Sequence, residues 1–261
     1  MSDKIKLVSL GADPELFLRD VATGEFVPAT GLLGGSKDSP RPVNKGAVQE
    51  DNVLAEFNIV PATDARAFVD NIMTVREELN NMVRPYDLTT FVTSSHIFTH
   101  DALKEAGPMA FEFGCDPDFN AWLGGEVNPK PASTTDLRTA GGHVHFGLEG
   151  ADLDINRFIR VCDATLGVVD VLTDPEGAAR RALYGCAGAY RPKPYGVEYR
   201  TLSNAWLSDS DAIDRTYRLS EYAVSLYNSG FDPKPSIRQV INSGDRQAAH
   251  HVYAGLHLGR V

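Results

Sequence analysis

Hydrophobic and polar positions alternate along several short stretches of this chain, and apolar positions recur every three to four residues along three longer ones. The first pattern marks strands and the second marks helices. Residues 4–10 (KIKLVSL) read as a strand, followed by ELFLRD and GEFVPA, which VATG joins as a hairpin. Residues 30–47 are rich in Gly, Ser, Pro and Lys and read as the first long loop. VLAEFNIV is the next strand; Pro61 ends it, and Thr63 is placed to cap a helix from about 64 to 83. Phe68, Val69, Ile72, Val75, Leu79 and Met82 give that helix one apolar face.

LTTFVTSSHIF and MAFEFG read as strands with a short helix between them, and residues 114–138 show little periodicity. GGHVHFGL is again a strand. Asp154 opens a second helix whose inner face carries Ile155, Phe158, Ile159, Cys162, Leu166, Val169 and Leu172. VEYRTL follows as a strand, residues 209–228 as a third amphipathic helix, and two shorter helices close the chain. Strands outnumber long helices and do not alternate regularly with them. The expectation is an α+β fold, a mostly antiparallel sheet with helices on one face, in a single domain over residues 1–261.

Within the strands, the polar positions are the informative ones. Asp13 and Glu15, His143 and His145, and Glu198 and Arg200 are each spaced two apart, so each pair shares a face, while Leu16, Val144, Phe146, Val197 and Tyr199 point the other way. By the same alternation QEDNVLAEFN puts Glu50, Asn52, Glu56 and Asn58 on one face. Each motif has a plain alternative: a solvated acidic edge, a core histidine beside a surface one, an exposed salt bridge. Together they describe a face that is costly to enclose unless a cation or charged ligand compensates it. Carboxylates and imidazoles suit a hard divalent metal, and a planar guanidinium suits a phosphate. The glycines before His143 would let a ligand approach the backbone. Arg180, Arg181, Arg191 and Lys193 form the one local concentration of positive charge, whose plain alternative is a solvated loop.

Composition narrows the partners. The 261 residues are 43% hydrophobic and 23% charged, with a net charge of −10, which argues against non-specific nucleic-acid binding or an anionic membrane surface. No run reaches the roughly 20 apolar residues of a membrane span, and the N-terminus lacks a signal-peptide pattern. Cys115, Cys162 and Cys186 have no paired spacing, which favours a reducing compartment. The expectation is a cytoplasmic protein. No Walker loop, Rossmann fingerprint, nucleophile elbow or kinase motif set occurs.

The order GADPELF, QEDNVLAEFN, GGHVHFG, GVEYRTL resembles the glutamine synthetase-like superfamily of carboxylate–amine ligases. With GCDPDFNAW and YGCAGAYRPKPYGVEYRTLSNAWL, it resembles more closely the phage-encoded COOH–NH2 ligases of type 2, over about residues 8–208. The resemblance implies a glutamine synthetase catalytic-domain-like fold with a twisted sheet. It implies Mg2+ (or Mn2+) held by Asp13, Glu15, Glu50, Glu56, His143 and Glu198. It also implies ATP contacted by Arg191, Arg200, His145 and Lys193, with Arg200, Arg191 and Glu56 acting in catalysis. The reaction implied is ATP-dependent amide formation through an acyl phosphate, from small-molecule or peptide carboxylate and amine substrates. If phage-encoded, the protein acts in the cytoplasm of the infected host, and an oligomer is open to it. Residues 30–47 and 115–128 are candidates for site closure, with Asp116, Asn120 and Trp122 as candidate substrate contacts. Two other readings are a guanidino-kinase-like phosphotransferase and an inactive nucleotide- or metal-binding protein on the same scaffold.

Overall fold

The structure, a computed structural model, describes residues 4–111, 118–129, 135–150 and 153–256. The strands are β1 (Lys6–Ala12), β2 (Glu15–Asp20), β3 (Phe26–Val27), β4 (Arg41–Val43), β5 (Gly46–Asp51), β6 (Leu54–Ile59), β7 (Leu88–Phe91), β8 (Ser95–Ile97), β9 (Phe119–Asn120), β10 (Glu126–Val127), β11 (Leu137–Thr139), β12 (Val144–Glu149), β13 (Ala189–Lys193) and β14 (Gly196–Tyr199). The helices are α1 (Ala65–Val83), α2 (His100–Ala106), α3 (Ile155–Cys162), α4 (Val168–Thr173), α5 (Ala178–Leu183), α6 (Ser210–Asn228), α7 (Ser236–Ser243) and α8 (Arg246–Gly255). A π-helical turn, Asp163–Gly167, runs α3 into α4.

The α+β expectation holds, and among the described strands every ladder is antiparallel. One sheet has the order β1-β12-β14-β13-β9-β10. The second runs β3-β2-β6-β5-β4, with β7 also paired to β2. A short ribbon, β8 with β11, stands apart. The apolar partners of the polar pairs point inward as expected: Leu16, Val144, Phe146, Val197 and Tyr199 are all fully buried. They join one core with Phe68, Ile72, Phe158, Ile159, Ile213 and Tyr217 from α1, α3 and α6. Each such apolar side chain contributes about 1.5–3 kcal/mol of transfer free energy. The helices therefore back the strands, and the polar strand faces are left on the opposite side.

Several local expectations change. Asp64, not Thr63, caps α1, accepting from Ala67 N at 2.8 Å. LTTFVTSSHIF divides into β7 and β8, because residues 92–94 leave the ladder. MAFEFG begins as a 3-10 turn over Pro108–Phe111, and its remainder lies outside the described residues. The loop over 30–47 contains β4 and the start of β5. Gly46 opens β5 because a Cβ there would collide with the Asn58 carbonyl and crowd Val75 of α1. No described helix is long and apolar enough to cross a membrane.

The π turn places a carboxyl in the core. Asp163 is 0% exposed, and burial pushes its pKa up to about 7, although Tyr199, Trp122 and Thr201 donate hydrogen bonds that favour the ionised form. In the unfolded chain the group ionises near its ordinary value. Between about pH 4 and pH 7 the folded state then holds the extra proton, so stability falls as pH rises, by up to roughly 1.4 kcal/mol per unit. Asp163→Asn should flatten that slope in denaturant melts taken from pH 4 to 7. An unchanged slope in the variant would contradict the assignment.

Candidate active site

The site begins with a corner in the backbone. β1 ends at Ala12 in one sheet and β2 starts at Glu15 in the other, with Asp13 and Pro14 between them. Asp13 N donates to the His143 carbonyl (3.3 Å), Glu15 N to the Gly141 carbonyl (2.9 Å), and Phe57 N to the Pro14 carbonyl (3.2 Å). Pro14, which has no N–H, leaves no donor unsatisfied at the bend. Both sheets thus grip one dipeptide, and their polar faces converge on a cavity of about 540 Å3. Asp13, Glu15, Glu56, His143, His145, Arg191, Lys193 and Arg200 all line it, and Glu198 lies beneath them, fully buried.

The β5–β6 wall is acidic. The sequence pattern treats 50–58 as one alternating run, but the chain reverses at Asn52 and Val53. Asn52 takes φ 55°, a left-handed conformation that Asn tolerates. The turn inverts the phase of β5: Gln49 and Asp51 face the cavity, and Glu50 faces away. The Glu50 carboxylate instead accepts from the N–H groups of Gly31, Leu33 and Gly34 at 2.8, 2.9 and 3.1 Å. Glu50 is therefore an anchor for the 30–34 loop, which corrects its reading as a metal ligand.

Glu15 stands opposite Glu56 across the β2–β6 ladder. Gly141 N donates to Glu15 at 2.6 Å, and Gln49 Nε2 donates to Glu56 at 2.6 Å. Burial, then the nearby Asp51 carboxylate, raises Glu15 to about 8. Burial also raises Asp51, and burial with repulsion from Asp13 raises Glu56 well above its ordinary value. Three neighbouring acids cannot all ionise here unaided.

The opposite wall is basic. His145, Glu198 and Arg191 face one another in register across β12, β14 and β13. Glu198 pairs with Arg200 through Nη1, with Lys193 Nζ at 2.8 Å and with Arg191 Nη1 at 3.4 Å. Burial and Asp13 oppose its ionisation, but Arg200 and the two imidazoles outweigh them and bring it to about 2. Asp13 Oδ1 lies 3.0 Å from His145 Nε2 and 3.5 Å from His143 Nδ1. Burial would raise Asp13, yet His145 and His143 hold it far below the usual carboxylate range. Burial and Arg200 lower His143 to about 4. Tyr195 sits at the His145 Nδ1, 2.6 Å away.

The donor set fits a divalent cation. Asp13, His145 and Glu198 offer ligand atoms within 4.8 Å of one another. Asp13 Oδ1 and His145 Nε2 are both buried and face each other outside hydrogen-bonding geometry. Glu15, Asp51 and Glu56 supply hard oxygens whose mutual repulsion a cation would relieve.

Other candidates lie elsewhere. Arg180 and Arg181 are buried, not solvated: Arg180 donates to the Thr201 and Arg200 carbonyls at 2.7 and 3.2 Å, and Arg181 pairs with Asp170 at 3.1 Å. Asn120 is buried and donates to Asn128 and the Ala187 carbonyl; Trp122 Nε1 donates to Asp163, so both side chains are structural. Cys115 and Asp116 lie outside the described residues. Gly142 is required by the Ser203 carbonyl and the Trp206 indole, which a Cβ would strike, so protein rather than ligand makes the close approach. Sequence reasoning missed Asp51, Gln49, Lys37 and Tyr195. The Asp-Asn turn signal would have found the first two; Lys37 and Tyr195 carry no local signal.

Residues 131–251 match a family model described as phage phiEco32-like COOH.NH2 ligase-type 2. This is the family that the motifs resemble, and the match, over a little under half of the chain, supports a carboxylate–amine ligase enzyme. The matched span includes His143, His145, Arg191, Glu198 and Arg200, and leaves out Asp13, Glu15 and Glu56. No curated protein matches. A solved structure described as "Apo GmaS without ligand" is 10% identical, with a TM-score of 0.43, over 100% of this chain and 71% of that one.

The two faces of β5 give a contrast that a metal titration can read. Asp51→Asn should weaken Mn2+ binding by roughly tenfold or more, while Glu50→Gln should leave it within about twofold and lower the melting temperature. The reverse pattern would restore Glu50 to the site.

Proposed function

We propose that this carboxylate–amine ligase is ATP- and Mg2+-dependent, joining a carboxylate to an amine through an acyl phosphate within one domain over residues 1–261. The observation that carries the reading is the facing of two walls in one cavity: Glu15, Asp51 and Glu56 on one, Arg191, Lys193 and Arg200 on the other. Phosphates need the second wall and divalent ions need the first.

Asp13, His143, His145 and Glu198 on one side, and Glu15, Asp51 and Glu56 on the other, would hold Mg2+ or Mn2+, which neutralises phosphate charge. Arg200, Arg191 and Lys193 take the nucleotide phosphates, Arg200 and Arg191 with planar guanidinium groups and Lys193 as a point charge. The substrate carboxylate attacks the γ-phosphate, releasing ADP, and the arginines stabilise the transferring group. The amine then displaces phosphate, forming the amide. Glu56, which Gln49 tethers, would take the proton the amine loses. Lys37 and Pro40 bring the 30–47 loop to the cavity mouth, where closure would keep water from the acyl phosphate. Substrates are small-molecule or peptide carboxylates and amines, and the setting is the cytoplasm.

The test is ADP release with ATP, Mg2+ and pooled carboxylates and amines, with products read by mass spectrometry. The expected product is lighter by one water than the sum of two pool members. A phosphorylated product without condensation would instead favour the phosphotransferase reading. Glu15→Gln and Glu198→Gln should each lower ADP formation by roughly a hundredfold or more, since several kcal/mol of charge stabilisation is at stake. Unchanged turnover in both variants would sink the metal assignment.

A further inference from the structure

Asp163 never touches the cavity, yet its contacts lead to it by two routes. Its Oδ1 accepts from Tyr199 OH at 2.7 Å and from Thr201 Oγ1 at 3.2 Å. Tyr199 and Thr201 alternate with Glu198 and Arg200, so the carboxylate grips the back of the segment whose front faces the cavity. Its Oδ2 accepts from Trp122 Nε1. Trp122 belongs to the segment carrying Asp118, whose Oδ2 lies 3.5 Å from Arg200 Nε. Asn128 Nδ2 donates to Asp118 Oδ1 at 3.0 Å, and Asn120 Nδ2 donates to Asn128 Oδ1 at 3.0 Å, so that segment is internally braced. Both routes end at one guanidinium. A π turn aims Asp163, and such wider turns concentrate where a helix must present one side chain off its regular register.

We propose that Asp163 is a positioning residue: it fixes Arg200 toward the cavity, from behind through Tyr199 and Thr201 and from the side through Trp122 and Asp118. The proposal rests on the ligase reading only in giving Arg200 a phosphate to bind. Ordinary core packing would explain a buried carboxyl and its bond from the Gly188 N–H, but not three side-chain donors drawn from the two segments that meet at Arg200. Burial raises the Asp163 carboxyl to about 7, so an apolar side chain would sit there more easily if packing alone were served.

The experiment compares Asp163→Asn, Tyr199→Phe and Trp122→Phe with the wild type. The first readout is affinity for a non-hydrolysable ATP analogue with Mg2+, and the second is backbone hydrogen exchange. Asp163→Asn keeps volume but cannot accept from all three donors. Nucleotide affinity, measured above about pH 8 where the carboxyl is ionised, should fall by about tenfold, as loss of a charge-assisted hydrogen bond implies. Exchange should quicken in 118–128 and 196–203 while α1 is unchanged. Adding Tyr199→Phe to Asp163→Asn should cause little further loss, because both act through the same contact. A folded Asp163→Asn with wild-type affinity and wild-type exchange would overturn the proposal, as would full additivity of the pair. If Asp163→Asn does not fold, Tyr199→Phe and Trp122→Phe carry the same readouts. If the wild type binds no nucleotide, the ligase reading fails and exchange alone decides the positioning role: quickened exchange in those two segments supports it, and unchanged exchange overturns it.

Discussion

The grip of two sheets on the Asp13–Pro14 corner is the constraint from which the site follows. Strand β1 belongs to one sheet and β2 to the other; the dipeptide between them bonds to His143 and Phe57 through the backbone, and Glu15 just after it bonds to Gly141. Without that crossing the acidic wall on β5 and β6 and the basic wall on β13 and β14 would belong to separate surfaces. With it, Asp13 stands where they meet, beside both histidines. Backbone hydrogen bonds fix this geometry, so it depends little on which side chains the walls carry.

Charge separation gives the cavity its chemistry. For Glu15, Asp51 and Glu56, burial with mutual repulsion outweighs the pull of the nearby Arg180, Arg200 and Lys37 and pushes their pKa values up. Glu198 has the opposite problem, being surrounded by Arg200, Lys193 and Arg191. The acidic wall is held in tension that a cation would relieve. A metal–phosphate pair carries both signs at once, positive toward the acids and negative toward the arginines. The core behind the walls is apolar and continuous with α1, α3 and α6, and Asp163, buried behind it, bonds to Tyr199 beside Arg200.

Much of this was legible in the sequence, for a physical reason. A period-two pattern survives wherever a strand is straight, so His143 with His145 and Glu198 with Arg200 were placed on the right face. Asp13 with Glu15 reached the same cavity although Pro14 breaks the strand between them. The pattern failed at Glu50, where the left-handed Asn52 reverses the chain and inverts every position before it. It failed differently for Arg180, Asn120 and Trp122, whose burial is decided by tertiary packing rather than by local alternation. Tyr195 and Lys37 enter through loop placement, which no periodicity encodes. The family match recovers the β12–β14 half of the site and not the β2–β6 half, so that half rests on geometry.

The central claim is that metal and nucleotide occupy the two walls of one cavity together. Calorimetric titration of a non-hydrolysable ATP analogue into the protein, with Mg2+ and again with the ion chelated, tests it most directly. The account predicts that chelation weakens binding by roughly tenfold or more, the size of a typical coupling between two sites, and that Asp13→Asn largely removes the difference. Equal affinity with and without the ion would contradict it.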